Sequence, residues 1–467
     1  MVNHGVNANE QATSVSTPVV ATSGIPYFVG TAPIQSAEAP AAVNTPVLCT
    51  SWDDAVAALG YSDDWEKYSL CEAMYSHFKL YACQPVIFCN VLDTKTLEAV
   101  EATDKDVSEH KVLLPFDAVD GETLTVKTES SGEALKKNTD YAVYYSDKNL
   151  VLELLEDSSA YDAEKLNIAY SKIKTGDATT TKAAIVTGIE KVELCLTKVG
   201  ILPDLILAPR YSHLPEVAAV MAAKAENING IFKAKVLVDI DSTATGATSY
   251  KDVLAVKNKN NITDSTEIAC WPMIKLGDRK FHLSTQLAGL MASIDTKNDG
   301  CPYESPSNKN LKCDSLVLAD GTEVDLTLTE ANNLNSNGIV TAINFVNGWT
   351  AWGNYTACYP ANTDVKDYFI PVSRMFKWID NTLIKTYWKK VDNPKNRRLV
   401  DTVLDAVNIW LNGLTGREFL LGGRVEILEV TSAGKIRFHI FATPPDPAQE
   451  FDFITEYDPE YVLSALG

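Results

Sequence analysis

Hydrophobic and polar positions change rhythm several times along the chain. Near the start, Gly24-Ile-Pro-Tyr-Phe-Val-Gly-Thr-Ala-Pro is a short apolar run bounded by Gly and Pro, the pattern of a buried strand. Ser51 stands where it can cap a helix from Trp52 to Leu59, with Asp53 and Asp54 in the first turn. From Glu66 to Ala82, Leu70, Met74, Phe78 and Tyr81 recur at helical spacing, which predicts a second helix with a core face. Val86 to Leu92 is a continuous apolar run, as expected of a strand covered on both faces.

Past Asp93 the rhythm becomes strand, turn, strand. The segments Thr123–Thr128, Tyr141–Ser146, Leu150–Leu155 and Lys165–Ile173 alternate, with turn signals at Asp120-Gly121 and Ser146–Asn149. This predicts a small all-β domain, residues 94–173, inserted into the surrounding fold with a polar, solvent-facing surface. From Thr180 helices and strands alternate. The pattern predicts a helix Lys182–Val199, a strand from Asp204, a helix Pro215–Asn229, a strand Ala234–Ile240, a strand Ile268–Lys275 and a helix Ser284–Ile294. Such alternation implies βαβ units and a largely parallel sheet.

A last domain opens near Trp349. Met375, Ile379, Leu383 and Tyr387 mark a helix from Arg374 to Trp388. A second helix is expected from Asn393-Pro394 to Gly413, with Val400, Val403, Leu404, Val407 and Leu411 as its stripe. Then, from Lys435 to Leu466, come two alternating segments. Ile436, Phe438, Ile440 and Ala442 share one face, and Lys435, Arg437 and His439 the other. Thr443-Pro-Pro-Asp-Pro interrupts, because proline donates no N–H to a ladder. Phe451, Phe453, Thr455 and Tyr457 then alternate with Asp452, Ile454 and Glu456. Such a strand either closes its own sheet or completes a neighbour's. At the other end, residues 1–23 are polar and small, the composition of an extended arm. Val15, Thr17 and Val19 suit addition to a sheet edge but are too few for a core strand.

Composition narrows the function classes. The 467 residues allow roughly two to four domains. A net charge of −20 leaves no basic excess to displace counterions from nucleic acid. No stretch is apolar for long enough to span a bilayer, and Met1–Glu10 lacks the basic start and apolar run of a signal peptide. The nine scattered cysteines predict reduced core thiols, with Cys301 and Cys313 as the one pair whose spacing allows a bridge across a loop. One charge feature runs against the total: Lys366 to Arg398 holds nine Lys/Arg and three Asp. It is either a solvated helix face or a docking surface for an acidic partner, with Lys385, Lys389, Lys390, Lys395, Arg397 and Arg398 as the contacts.

Catalytic patterns are missing. The chain has no G-x-G-x-x-G, P-loop, H-E-x-x-H or G-x-S-x-G, and its six histidines share no metal-like spacing. His282, Ser284 and Asp295 can be written as a triad, but Ser284 reads better as a helix N-cap before Leu287 and Leu290. No catalytic residue, cofactor or metal is expected.

Four segments together resemble the tail sheath proteins of contractile phage tails and R-type bacteriocins. They are the polar arm with Gly24 to Pro33; Ala288-Gly289 to Asp295 with Gly300-Cys-Pro and Ser305-Pro-Ser-Asn; Asn332-Asn-Leu-Asn-Ser-Asn-Gly-Ile leading to Trp352-Gly-Asn-Tyr-Thr; and Arg374 through Gly422-Gly-Arg to Phe451-Asp-Phe-Ile-Thr-Glu-Tyr-Asp. The resemblance implies a multidomain α/β and α+β chain. Its expected parts are an arm at 1–23, the start of the sheath core at 24–93, the β insertion at 94–173, a subtilisin-like but non-catalytic α/β domain at 174–348, an α+β C-terminal domain at 349–448 and a second arm at 449–467. It implies a structural subunit whose copies form stacked hexameric rings around an inner tail tube, joined by arms that add strands to neighbours. Baseplate and tail terminator proteins would be further partners, without nucleic acid or membrane insertion. The particle would be a virion tail or bacteriocin, made in the cytoplasm of a bacterial host. Two other readings stay open on the residues alone: an α/β hydrolase, from the middle region, and an adhesin, from the β insertion.

Overall fold

A computed structural model describes residues 20–95, 97–146, 148–173, 178–430, 434–458 and 461. Eight strands form the central sheet, in the order Trp349–Trp352, Ile339–Asn344, Glu267–Cys270, Lys235–Asp239, Leu205–Leu207, Pro26–Gly30, Val86–Asn90, Val47–Cys49. The six inner strands run parallel and the two edge strands antiparallel. Alternate side chains leave the sheet on opposite faces, and both faces are covered. Tyr27, Val29, Ile206, Val236 and Val238 enter one core, with helices Ala178–Glu190, Pro215–Glu226 and Tyr250–Lys259. Phe28, Leu205, Leu207 and Leu237 enter the other, with helices Trp52–Leu59, Ser69–Met74 and Leu283–Lys297. This double coverage is why the strand segments read as unbroken apolar runs. All nine cysteines are buried and free, Cys301 and Cys313 included.

Between Val86–Asn90 and Ala178–Glu190 lie two three-stranded antiparallel sheets. One is ordered Leu97–Asp106, Lys165–Ile173, Thr125–Lys127, the other Lys111–Pro115, Asn149–Leu154, Tyr141–Tyr145. Val112, Leu114, Val126, Leu150, Leu152, Leu166 and Ile168 fill the space between them. The joint to the body is a chain of rings: Tyr68 to Phe116 at 6.0 Å and Phe116 to Tyr145 at 5.5 Å.

Several expected elements differ. The run Ile268–Lys275 is two strands, because Trp271-Pro272 interrupts it. Glu267–Cys270 stays in the central sheet, and Met273–Leu276 joins a four-stranded sheet with Arg279–Phe281, Ser315–Val317 and Glu323–Val324. The helix expected from Pro394 begins at Arg397, where the Asn396 side chain accepts from Leu399 N at 2.9 Å. It runs on to Gly416, since Gly413 weakens a helix without ending it when Trp410, Leu411 and Leu414 are buried around it. Ser284 is not an N-cap: His282 holds that position, and the Ser284 hydroxyl donates to Asp239 instead.

A candidate assembly interface

The C-terminal region is built on two helices, Ile370–Tyr387 and Arg397–Gly416. Their apolar stripes, Met375, Trp378 and Ile379 on one and Val407, Trp410, Leu411 and Leu414 on the other, make a small core with Phe419 and Leu420. Against it lies a hairpin, Gly422–Val430 with Ile436–Thr443, in antiparallel register with Val425 opposite Ile440. Phe438, Ile440 and Ala442 pack on the core, as their alternation predicts. Gly423 lies close to the second helix: a Cβ there would stand 3.2 Å from Leu411 Cβ. The outer face carries Arg424 over the Phe441 ring at 3.8 Å, with ion pairs Arg424–Glu426 and Arg437–Glu429. Among the described residues this sheet has only these two strands, so both its outer edges are open.

The segment expected as a second strand, Phe451–Tyr457, forms no ladder with any of the described residues. It is neither helix nor strand, and Phe451, Phe453 and Tyr457 are 74%, 85% and 77% exposed, with Thr455 exposed too. Alternation encodes an extended chain and says nothing of its partner. The tail is tied at its root, where the Tyr355 hydroxyl donates to Gln449 Oε1 at 2.7 Å. Val15, Thr17 and Val19 lie outside the described residues.

The root of the first arm is held firmly. Ala21 N donates to Thr382 Oγ1 at 3.0 Å, and Trp378 Nε1 donates to the Ala21 carbonyl at 2.7 Å. Ser23 Oγ is shared between Asp295 Oδ2 and the Gly300 carbonyl. Gly24 takes φ +73°, and a Cβ there would meet Ala292 Cα at 2.9 Å, so only glycine turns the chain here. Ile25 N then donates to Asp204 Oδ1 at 2.7 Å. Arg374 joins these carboxylates: Nη1 and Nη2 reach Asp295 at 3.1 and 2.5 Å, and Nη2 reaches Asp204 at 2.9 Å. Arg374 and Asp295 are 3% and 0% exposed. The arm root, the central sheet and the C-terminal helix thus meet on one buried guanidinium. Sequence reasoning missed this role. Its signal was Arg374 at i, i+4 spacing between Ile370 and Trp378, on the buried face of the helix.

The basic segment is divided. Arg374 and Lys377 are spent inside, Lys377 on Glu226 at 2.5 Å. Lys385 is half-buried. Lys389, Lys395, Arg397 and Arg398 are exposed, with Lys390 partly so, beside the exposed Trp388 and Val391. No triad forms either. His282 Nδ1 faces Glu72 Oε2 at 2.8 Å, Ser284 Oγ donates to Asp239 Oδ2 at 2.5 Å, and Asp295 belongs to Arg374. A serine whose hydroxyl donates to a carboxylate that also accepts from Ser212 has no imidazole placed to take its proton. Among the described residues no group of three or more His, Cys, Asp and Glu could hold a metal ion, and no helix is long and apolar enough to cross a membrane.

No family model matches the chain. A curated protein of Pseudomonas aeruginosa (strain UCBPP-PA14), a putative prophage major tail sheath protein, is 25% identical over 275 residues, 56% of this chain and 67% of its own length. Among solved structures, the PVC sheath complex of an extracellular contractile injection system in its contracted state matches with a TM-score of 0.57 at 14% identity, over 99% of both chains. The contracted helical sheath of the anti-feeding prophage matches at 0.58 and 14%, over 98% of this chain and all of that one. A sheath tail protein of Desulfitobacterium hafniense matches at 0.51 and 12%, over 94% of this chain and all of that one. The resemblance drawn from the sequence is borne out: this chain is similar in sequence to a curated tail sheath protein and carries the fold of contractile sheath proteins over nearly its whole length.

Proposed function

We infer that the chain is the structural subunit of a contractile sheath. Copies stack as hexameric rings around an inner tail tube, and contraction drives the tube through a bacterial envelope. The observation that carries this is the match to a sheath complex over 99% of both chains. The open hairpin and the unpaired tail support it, since a long bare sheet edge is a liability unless something covers it.

In this reading the arms are the links. Phe451, Phe453, Thr455 and Tyr457 of one copy, and Val15, Thr17 and Val19 of another, add strands to the two open edges of a third copy's hairpin. Each hydrogen bond contributes about 1 kcal/mol net, and several hold neighbours together while the subunits rotate as rigid bodies. The exposed cations Lys389, Lys390, Lys395, Arg397 and Arg398, with Lys385 behind them, face the inner tube or a neighbouring subunit. The middle region is a subtilisin-type α/β fold without its chemistry, and the β insertion is a surface domain. No enzyme activity is proposed. Baseplate and tail terminator proteins bound the assembly, which is made in the host cytoplasm and ends in a tail particle.

Negative-stain microscopy of the purified protein tests the assignment. Tubes or stacked rings are expected; a monodisperse monomer at high concentration would overturn it.

A further inference from the structure

The hairpin Gly422–Val430 with Ile436–Thr443 shows two edges to an incoming strand, and they are not equivalent. The edge along Gly422–Val430 is partly taken. The helix Arg397–Gly416 packs along that strand, and Val425 N donates to Asn408 Oδ1 of the helix at 3.0 Å. A donor in the middle of this edge is therefore spent, and the Val425 side chain is already buried. Along Ile436–Thr443 no described side chain takes a backbone N–H, and the inward-facing Phe438, Ile440 and Ala442 are only half-buried against the C-terminal core.

Charge separates the edges as well. On the outer face, Arg437 and His439 of one strand lie directly across from Glu429 and Glu426 of the other. The ion pairs Arg437–Glu429 at 3.2 Å and Arg424–Glu426 at 2.9 Å balance within the hairpin. What differs is the sign that each edge presents to a neighbour. The tail has two faces that match one edge and oppose the other. Its aromatic face is Phe451, Phe453 and Tyr457; its other face carries Asp452 and Glu456 on either side of Ile454. Laid beside Ile436–Thr443 with the rings inward, it sets them next to the half-buried Phe438 and Ile440, and its carboxylates on the side of Arg437 and His439. The Arg437 side chain is 51% exposed, and a guanidinium has donors enough for a second carboxylate. Laid beside Gly422–Val430, the same segment would set Asp452 and Glu456 among Glu426 and Glu429, and like charges across a strand pair are destabilising.

We propose that the edge Ile436–Thr443 is the seat of the tail Phe451–Tyr457 of a second copy, with the aromatic face toward the C-terminal core. In its own copy the segment stands exposed and joins no sheet of the described residues. The assignment rests on the sheath reading above and adds to it which edge the tail takes and which way it faces.

The test is disulfide trapping in tubes of the full-length chain, whose native cysteines are all buried. Ile454→Cys is combined with Arg437→Cys, His439→Cys or Phe441→Cys on one strand, and in separate proteins with Arg424→Cys or Glu426→Cys on the other. Adjacent strands stand within the span of a disulfide and the next strand but one does not. After oxidation, at least one of the first three pairs should give a ladder of covalent multimers on a non-reducing gel, in several-fold higher yield than either of the last two. A ladder from the Arg424 or Glu426 pairs instead, or none from any pair in tubes that do form, would overturn the seat and leave the sheath reading standing. A crosslink closed within one chain, seen as a faster-migrating monomer, would overturn the second copy as occupant. An unsubstituted chain that forms no tubes would sink the sheath reading itself, and the seat with it.

Discussion

The central sheet and the C-terminal hairpin are both β-structure, yet they are finished in different ways. Pro26–Gly30, Val86–Asn90 and Lys235–Asp239 are buried at every position, with a ladder on each side and helices above and below. In the hairpin each strand has one ladder and one covered face, and Ile427 and Leu428 stand 44% and 63% exposed at its bulge. The body satisfies its own backbone. Among the described residues the hairpin has no third strand on either edge, with Val425 N met by Asn408 Oδ1 at 3.0 Å, and a few residues further on the same chain carries an extended segment that joins no sheet. The contrast teaches where stability and assembly reside: in buried pairings within one copy for the first, in unmade pairings for the second.

The most severe way to break this contrast is to remove the tail. A chain ending after Ala448 should lose polymerisation entirely while keeping its circular dichroism and denaturation midpoint, because residues 451–458 are all exposed. Sedimentation and microscopy measure the two sides; tubes formed by the truncated chain would show that the open edges are covered by something else. The body is struck instead by Arg374→Ala, which leaves Asp295 and Asp204 without their cation. Removing one partner of a buried pair costs about 3–5 kcal/mol, read as a lower urea midpoint. A loss under about 1 kcal/mol, the range of exposed pairs, would place the network in effect at the surface.

A pH series sharpens the picture of the body. Burial alone would lower the pKa of His282, but the Glu72 carboxylate and its hydrogen bond outweigh burial and raise it from 6.5 to about 9. Because the folded value lies above the unfolded one, the contribution is complete below pH 6.5 and is lost as pH rises through about 9. The stability difference between wild type and His282→Gln should therefore shrink across that window, by about 3 kcal/mol at most. A difference independent of pH would mean that the imidazole is not charged in the fold. The smallest effect is expected from replacing residues 98–175 by a short Gly/Ser linker. The body loses the Tyr68–Phe116 ring contact, worth about 1 kcal/mol, and assembly continues. Aggregates, or a folded protein that stays monomeric, would make the insertion part of the lattice.

Much of this is legible in the residues alone. Ser51 caps its helix from the predicted position, accepting from Asp54 N at 3.1 Å. The strand Lys165–Ile173 begins and ends where its alternation does. The two apolar faces of the sheet follow from runs such as Val86–Asn90. These features are local: a cap, a period and an apolar run each act within a few residues, and the sequence by itself determines them. What only the tertiary structure decided is which groups meet. Nine basic residues between Lys366 and Arg398 look alike along the chain, but Arg374 is drawn inside by Asp295 and Asp204, 79 and 170 residues away. Ser284 reads as a cap until Asp239, 45 residues off, accepts its hydrogen bond. Phe451–Tyr457 has the period of a strand and no ladder among the described residues. Local pattern sets how a segment is bent and which side is apolar; partnership depends on long-range packing, and for the tail the reading proposed here assigns it to another copy.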